Sequence, residues 1–330
     1  MDERMKVMIA YDGSAYADAA LEDLRRAGLP REAEALIVSI GEGLVNVYSP
    51  VAELTGTAPT SHRVTSAAAV AREQAVRLLA EARRFAARAR KRVLSYFPGW
   101  KVRTRVLEGS PSRELLRKAE KWGPDLIVVG SQGRSAVSRF LLGSVSKKLA
   151  TESRSSVRVA RRTVERGQDA PPRIMIGVDG STGAEGAVRA VGRRVWPEGT
   201  EVRIVAVDDS VSPGRIAHIL PTAADMIRSS NEEAAEKARQ MVEWAESELG
   251  AIGLKVSVAI EKGEPQRILI EEARKWDADC IFVGSHGLNR PDQRSGLGSV
   301  STGLVTNAPC TVEIVRSINL NHFDHKESTT

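Results

Sequence analysis

Short apolar runs alternate with longer amphipathic stretches along this chain, and the alternation occurs twice. The first run, Lys6-Val7-Met8-Ile9-Ala10-Tyr11, stops at Asp12-Gly13-Ser14. A strand covered on both faces needs no polar alternation, so this pattern predicts a buried parallel strand. Ala15 to Ala27 predicts an amphipathic helix stopped by Gly28, and Ala35 to Ile40 a second strand. A loop is expected from Gly41 to about Ser66, long enough to cover a site, followed by an Ala/Arg-rich helix from Ala67 to about Tyr96. Val102 to Val106 alternates as a third strand, and Pro111 suits the first position of a helix ending at Trp122. Leu126-Ile127-Val128-Val129 reads as a fourth strand, Gly143 to Thr151 as a helix, and Val157 to Ala160 as a fifth strand.

The pattern then starts again. MKVMIAYDGSAYADAAL near the N-terminus is answered by PRIMIGVDGSTGAEGAV, which puts Asp179 where Asp12 stood. The window Gly109 to Gly133 lies on Gly263 to Gly287 without a gap, with 13 of 25 positions identical. Chance would match only one or two, so the chain is a tandem duplication. The reading divides it into residues 1–162, a charged Pro-ended linker over 163–172, a second domain over 173–317, and a polar tail over 318–330 expected to be disordered.

Strand and helix alternating within each copy predict a parallel sheet with helices on both faces, an α/β fold of the flavodoxin-like doubly wound class. In that class ligands sit outside the C-terminal strand ends, where the strand order reverses. The residues at those ends are Asp12, Ile40 and Gly130 in the first copy, and Asp179, Val207 and Gly284 in the second. Beyond Gly130 come Gly133, Gly143 and Ser144. Glycines permit close backbone approach, and a helix opening at Gly143-Ser144 offers free N–H groups to an anion. Strand, loop and helix start together form a candidate phosphate cradle.

Composition narrows the classes without choosing among them. With 42% hydrophobic and 27% charged residues, the chain reads as a globular protein with a real core. No apolar run approaches the roughly 20 residues that span a bilayer, and the acidic start does not resemble a secretory signal, so the expectation is a cytoplasmic protein without a membrane partner. The net charge of +6 raises nucleic-acid binding. Only 4% of residues are aromatic, however, and Arg83, Arg84, Arg88, Arg90, Lys91 and Arg92 fall on one helix, so a solvated helix face is expected and no nucleic-acid partner. Cys280 and Cys310 make no disulfide framework, and Cys280 reads as a small buried hydrophobe. No P-loop, no nucleophile elbow and no histidine set with metal-ligand spacing occurs, so neither catalytic nor metal residues are assigned.

The strand-end Asp followed by Gly-Ser, and Gly-x2-Gly-x9-Gly-Ser after the fourth strand, resemble the universal stress protein family. The run EGSPSRELLRKAEKWGPDLIVVGSQGRSAVSRFLLGSVSKKLA is similar to the family's C-terminal half, and the resemblance extends over nearly the whole chain as two family domains. It implies two tandem domains like those of the adenine nucleotide alpha-hydrolases, each with sheet order 3-2-1-4-5, paired through their last strands into an intramolecular pseudo-dimer. A homodimer of chains is a further expectation. It also implies ATP, or AMP or ADP, as ligand, with Mg2+ as a companion, held by Asp12, Ile40, Val129, Gly130, Gly133, Gly143, Ser144 and Val145. Arg134 could add charge toward the phosphates.

The second copy departs from the motif. Ten residues rather than nine separate Gly287 from Gly298, Pro291 and Asp292 fall among them, and Gly296 stands where an apolar residue is expected. A proline removes a donor and a carboxylate repels phosphate. The corresponding set, Asp179, Val207, Val283, Gly284, Gly287, Gly298, Ser299 and Val300, is therefore expected to bind less tightly. The leading function is a stress-response protein using the nucleotide as a regulatory ligand. A slow ATPase or nucleotide hydrolase on the same residues, or an interaction protein without ligand, are the alternatives.

Overall fold

The computed structural model describes residues 4–42, 61–134, 142–161, 170–210, 221–287 and 296–316. Ten strands form one sheet: β1 (Lys6–Ala10), β2 (Glu34–Gly41), β3 (Lys101–Glu108), β4 (Leu126–Gly130), β5 (Ser156–Ala160), β6 (Arg173–Val178), β7 (Glu201–Asp208), β8 (Lys255–Lys262), β9 (Cys280–Gly284) and β10 (Thr311–Val315). The helices are α1 (Ala15–Asp23), α2 (Ser61–Tyr96), α3 (Pro111–Trp122), α4 (Ser144–Glu152), α5 (Thr182–Gly192), α6 (Pro221–Ala251), α7 (Pro265–Lys275) and α8 (Ser299–Asn307). Strand order is β3-β2-β1-β4-β5-β10-β9-β6-β7-β8, so each half has the expected 3-2-1-4-5 order. Every pairing is parallel except β5 with β10, which is antiparallel and joins the halves.

The apolar runs become strands because helices cover both their faces; β4 and β9 are buried at every position. Met8, Ile127 and Val157 of the first half share one hydrophobic layer with Met175, Ile281 and Ile314 of the second. The opposite face of each half has its own layer, with α1 and α2 packing over Ile9, Ile37 and Val128, and α5 and α6 over Ile176, Ile204 and Phe282. One layer therefore runs unbroken through the junction. The outer edges, β3 and β8, expose Lys101, Arg103 and Arg105, and Lys255 and Lys262, charges that discourage further strand addition.

Local chemistry starts and stops the helices. The Ser14 hydroxyl accepts from the Ala17 N–H at 3.1 Å and the Ser181 hydroxyl from the Ala184 N–H at 3.2 Å, capping α1 and α5 alike. Gly123 ends α3 in the left-handed region at φ 60, and its counterpart Asp277 takes φ 56 without the glycine.

Several boundaries differ from the pattern-based reading. The first helix gives way to a 3-10 turn over Leu24–Arg26; past it the Trp196 ring lies against Gly28 and the Val195 N–H donates to the Gly28 carbonyl at 3.0 Å. The second helix is already formed at Ser61, ahead of the expected Ala67. Residues 43–60 of the expected cover, most of the expected linker, the tail beyond 316 and the insertion with Pro291 and Asp292 lie outside the described residues. A homodimer of chains through the last strands would need the edges of those strands open. Those strands are occupied by each other, so a chain–chain dimer would need another surface.

Candidate functional site

β1 and β4 are neighbours in the sheet but leave it in opposite lateral directions, toward β2 and toward β5, and a crevice opens above their C-terminal ends. A cavity of about 590 Å³ occupies it. Asp12, Ile40, Val129, Gly130, Gly133, Gly143, Ser144 and Val145 all line this cavity. Its walls are aliphatic from Val38, Ile40, Leu115 and Val129, and α2 closes one side with Leu78, Ala82 and Phe85.

Asp12 sits at the floor with each oxygen already engaged. Oδ1 accepts from the Ser14 N–H at 3.0 Å and Oδ2 from the Arg134 N–H at 3.2 Å. A carboxylate oxygen has further lone-pair capacity, so both can still take a ligand donor. Gly133 is tied to this geometry, since a Cβ there would come within 3.0 Å of Asp12 Oδ2. The loop is closed by backbone: Ser131 N–H donates to the Ala160 carbonyl at 2.8 Å, and Gly143 N–H to the Ser131 carbonyl at 2.8 Å. Ser144 is exposed at the first turn of α4, where N–H groups have no partner within the helix.

Gly130 lines the cavity and carries a further constraint besides. What approaches it is protein: a Cβ there would lie 2.6 Å from the Tyr16 carbonyl oxygen in the first turn of α1. Ser146, buried and absent from the expected set, donates its hydroxyl to the Gly130 carbonyl at 2.6 Å and pins the loop to α4. The signal was present in the sequence, because Gly-Ser-Val-Ser occurs in both copies and Ser301 donates to the Gly284 carbonyl at 2.7 Å.

The arginines of α2 are not uniformly solvated. Arg88 donates to the Tyr11 hydroxyl at 2.9 and 2.7 Å and to the Gly13 carbonyl at 3.1 Å, while Arg92 pairs with Asp18 at 2.9 Å and with Glu22. Arg134 bridges the mouth of the cavity to Glu81 at 3.0 Å and lies over the Phe85 ring. These contacts clamp α2 onto α1 beside the site. Burial, and then the bond to the Asp18 carboxylate, push the Tyr11 hydroxyl up to about 12, against the opposing pull of Arg88. The folded-state value lies above the ordinary 10.0. The associated stability is therefore full below pH 10 and is lost as pH climbs through 12. Alkaline titration followed by phenolate absorbance is expected to show a late component that Tyr11→Phe removes.

The second copy repeats the frame. Asp179 Oδ1 accepts from the Ser181 N–H at 3.0 Å, Gly284 abuts the backbone of Gly183, and Gly298 N–H donates to the Ser285 carbonyl at 2.9 Å. Val207 and Val283 hold the strand-end positions of Ile40 and Val129, Gly287 abuts Asp179, and Ser299 and Val300 open α8. Two features differ. Phe85 packs over Gly13 in the first copy, whereas Lys237 packs over Gly180 in the second. Gly296, with φ +102, donates its N–H to the Thr151 carbonyl of α4 at 3.1 Å.

Comparison with known proteins agrees with this architecture. The Universal stress protein family profile matches the chain twice, over residues 3–161 and 172–316. The chain belongs to that family, as two tandem copies of its domain. A universal stress protein of Mycolicibacterium smegmatis is 27% identical over 319 residues, covering 94% of this chain and 96% of that protein. The YxiE universal stress protein of Bacillus subtilis is 29% identical over 157 residues, 47% of this chain and 98% of its own length. Among solved structures, a universal stress protein from Archaeoglobus fulgidus superposes with TM-score 0.55 at 20% identity, covering 94% of this chain and 96% of that one.

Proposed function

We propose that this universal stress protein binds ATP, or AMP or ADP, in the first repeat and uses the nucleotide as a regulatory ligand in the cytoplasm. The observation that carries the reading is the 590 Å³ cavity at the reversal of strand order, which lies within the roughly 300–1,000 Å³ typical of ligand pockets. Its two ends match the two ends of a nucleotide. The aliphatic walls from Val38, Ile40 and Val129 suit a flat base, and Asp12 supplies acceptors for an exocyclic amine or a ribose hydroxyl. At the other end, the first turn of α4 at Gly143, Ser144 and Val145 offers N–H groups and a positive dipole end to phosphate oxygens.

Mg2+ would arrive with the nucleotide. Among the described residues no three His, Cys, Asp or Glu side chains gather into a metal site, so its ligands would be phosphate oxygens and water. The second repeat keeps the frame, but Lys237 stands against Gly180 where Phe85 stands against Gly13, and Gly296 bonds to α4, so it is assigned the weaker site. Among the described residues no helix is long and apolar enough to cross a membrane.

Isothermal calorimetry of the intact chain with ATP is expected to give micromolar-range binding at one dominant site, weakened at least tenfold by Asp12→Ala. Absence of heat with ATP, ADP and AMP alike would defeat the proposal. Phosphate release at many turnovers per site, lost on Asp12→Ala, would replace it with the hydrolase reading.

A further inference from the structure

We propose that Arg158 and Glu313 act as a pairing code: the last strand of the first repeat joins only the last strand of the second, and like does not join like. The two residues are direct partners across the antiparallel β5–β10 ladder, and both are 1% exposed. Arg158 Nη1 donates to Glu313 at 2.9 Å.

They are also each other's counterparts in the duplication. Ser156 to Arg161 lies on Thr311 to Arg316, and the bonds obey that correspondence. Arg161 N–H donates to the Thr311 hydroxyl at 3.2 Å, while Arg316 N–H donates to the Ser156 hydroxyl at 3.1 Å. The Arg161 guanidinium bonds the Val305 and Thr306 carbonyls at the end of α8; that of Arg316 bonds the Ala150 and Thr151 carbonyls at the end of α4. Off the pseudo-twofold axis, each side chain meets something other than its own counterpart, so one residue type serves both copies. On the axis a residue faces its own counterpart, and there the two copies carry opposite charges.

The code is deeper than one pair. Arg158 is held from its own repeat by Asp23, at 2.5 and 3.2 Å, and Glu313 from its own repeat by Arg194. Across the junction the buried row reads Asp23, Arg158, Glu313, Arg194, with alternating sign. Two first repeats joined through β5 would read minus, plus, plus, minus; two second repeats joined through β10 would read plus, minus, minus, plus. Like charges directly opposite across a ladder destabilise it, and burial leaves no water to screen them. Arg194 Nη1 further donates to the Ala27 carbonyl at 2.7 Å and Asp23 accepts from the Thr311 hydroxyl at 2.8 Å, contacts that tie the row across the two repeats. Specificity of this kind comes as much from what the wrong pairing would bury as from what the right one gains.

The test needs no ligand and uses the whole chain. A protease site is placed within residues 162–169, and the protein is folded intact and then cut. Native mass spectrometry of the cut wild type is expected to show the two halves only as a one-to-one complex, and homodimers of either half would overturn the proposal. The Arg158→Met/Glu313→Met protein, folded and cut in the same way, is expected to yield homodimers as well as the mixed complex. If it still gives the mixed complex alone, shape rather than charge directs pairing and the proposal fails. If the cut halves separate, the uncut chain decides. Glu313→Arg is expected to lower the Tm by ten degrees or more and unfold in two steps, while Glu313→Gln keeps one transition. A Glu313→Arg protein that melts like wild type would overturn it.

Discussion

Valine at position 130 is expected to destabilise the fold and abolish nucleotide binding together. The added Cβ would stand 2.6 Å from the Tyr16 carbonyl oxygen, 2.7 Å from its carbon and 3.0 Å from the Ala17 nitrogen. All three are backbone atoms in the first turn of α1, so no rotamer change relieves the clash. Overpacking of this kind costs about 3 kcal/mol, which for a protein of this size corresponds to roughly 6–12 °C in Tm. The displaced turn carries Ser14 and the loop of Asp12, so the ligand site goes with it. Thermal melting and calorimetry on one sample check both parts. Gly133→Ala is the useful contrast: its Cβ meets only the Asp12 carboxylate, so it is expected to melt near wild type and still bind more weakly. A Gly130→Val protein with unchanged Tm would return this glycine to a purely ligand-facing role.

Arg158→Ala carries the second large effect. It would leave the Asp23 and Glu313 carboxylates facing each other across a dry cavity, with Arg194 as the remaining cation in the row. Removing one partner of a buried ion pair costs about 3–5 kcal/mol, far more than replacing the pair with apolar groups of similar volume. Denaturant midpoints should therefore place Arg158→Ala well below wild type, and Arg158→Met/Glu313→Met below wild type as well, because it strands the Asp23 carboxylate and the Arg194 guanidinium. A midpoint for Arg158→Ala within a few tenths molar of wild type would show that water reaches the junction.

The strands were legible because their residues are apolar on both faces, a pattern that Leu126 to Val129 and Cys280 to Val283 share with little else in the chain. The helix starts at Pro111 and Pro265 were legible for a local reason, the missing proline N–H. The N-terminal reach of α2 was not: its buried apolar stripe, Ala82, Ala86, Ala89 and Val93, comes about six turns after Ser61. Composition cannot tell an arginine facing water from one folded back onto α1, which is why Arg88 and Arg92 read as solvated. The glycine motif pointed to the crevice but not to the second constraint on Gly130, because glycine reports that something approaches closely and not whether it is ligand, protein or both. Arg158 and Glu313 read as ordinary charged residues inside strands, and only the register across β5 and β10 shows that they face each other.

The single antiparallel pairing in the sheet sets where ligands can come from. Reversal of strand direction at the junction turns the second half upside down, so the C-terminal ends of β6 and β9 point away from those of β1 and β4. The two crevices open at opposite rims, with the sheet between them. A small ligand held at one crevice is therefore out of reach of the other, and a surface that covers one mouth leaves the other open.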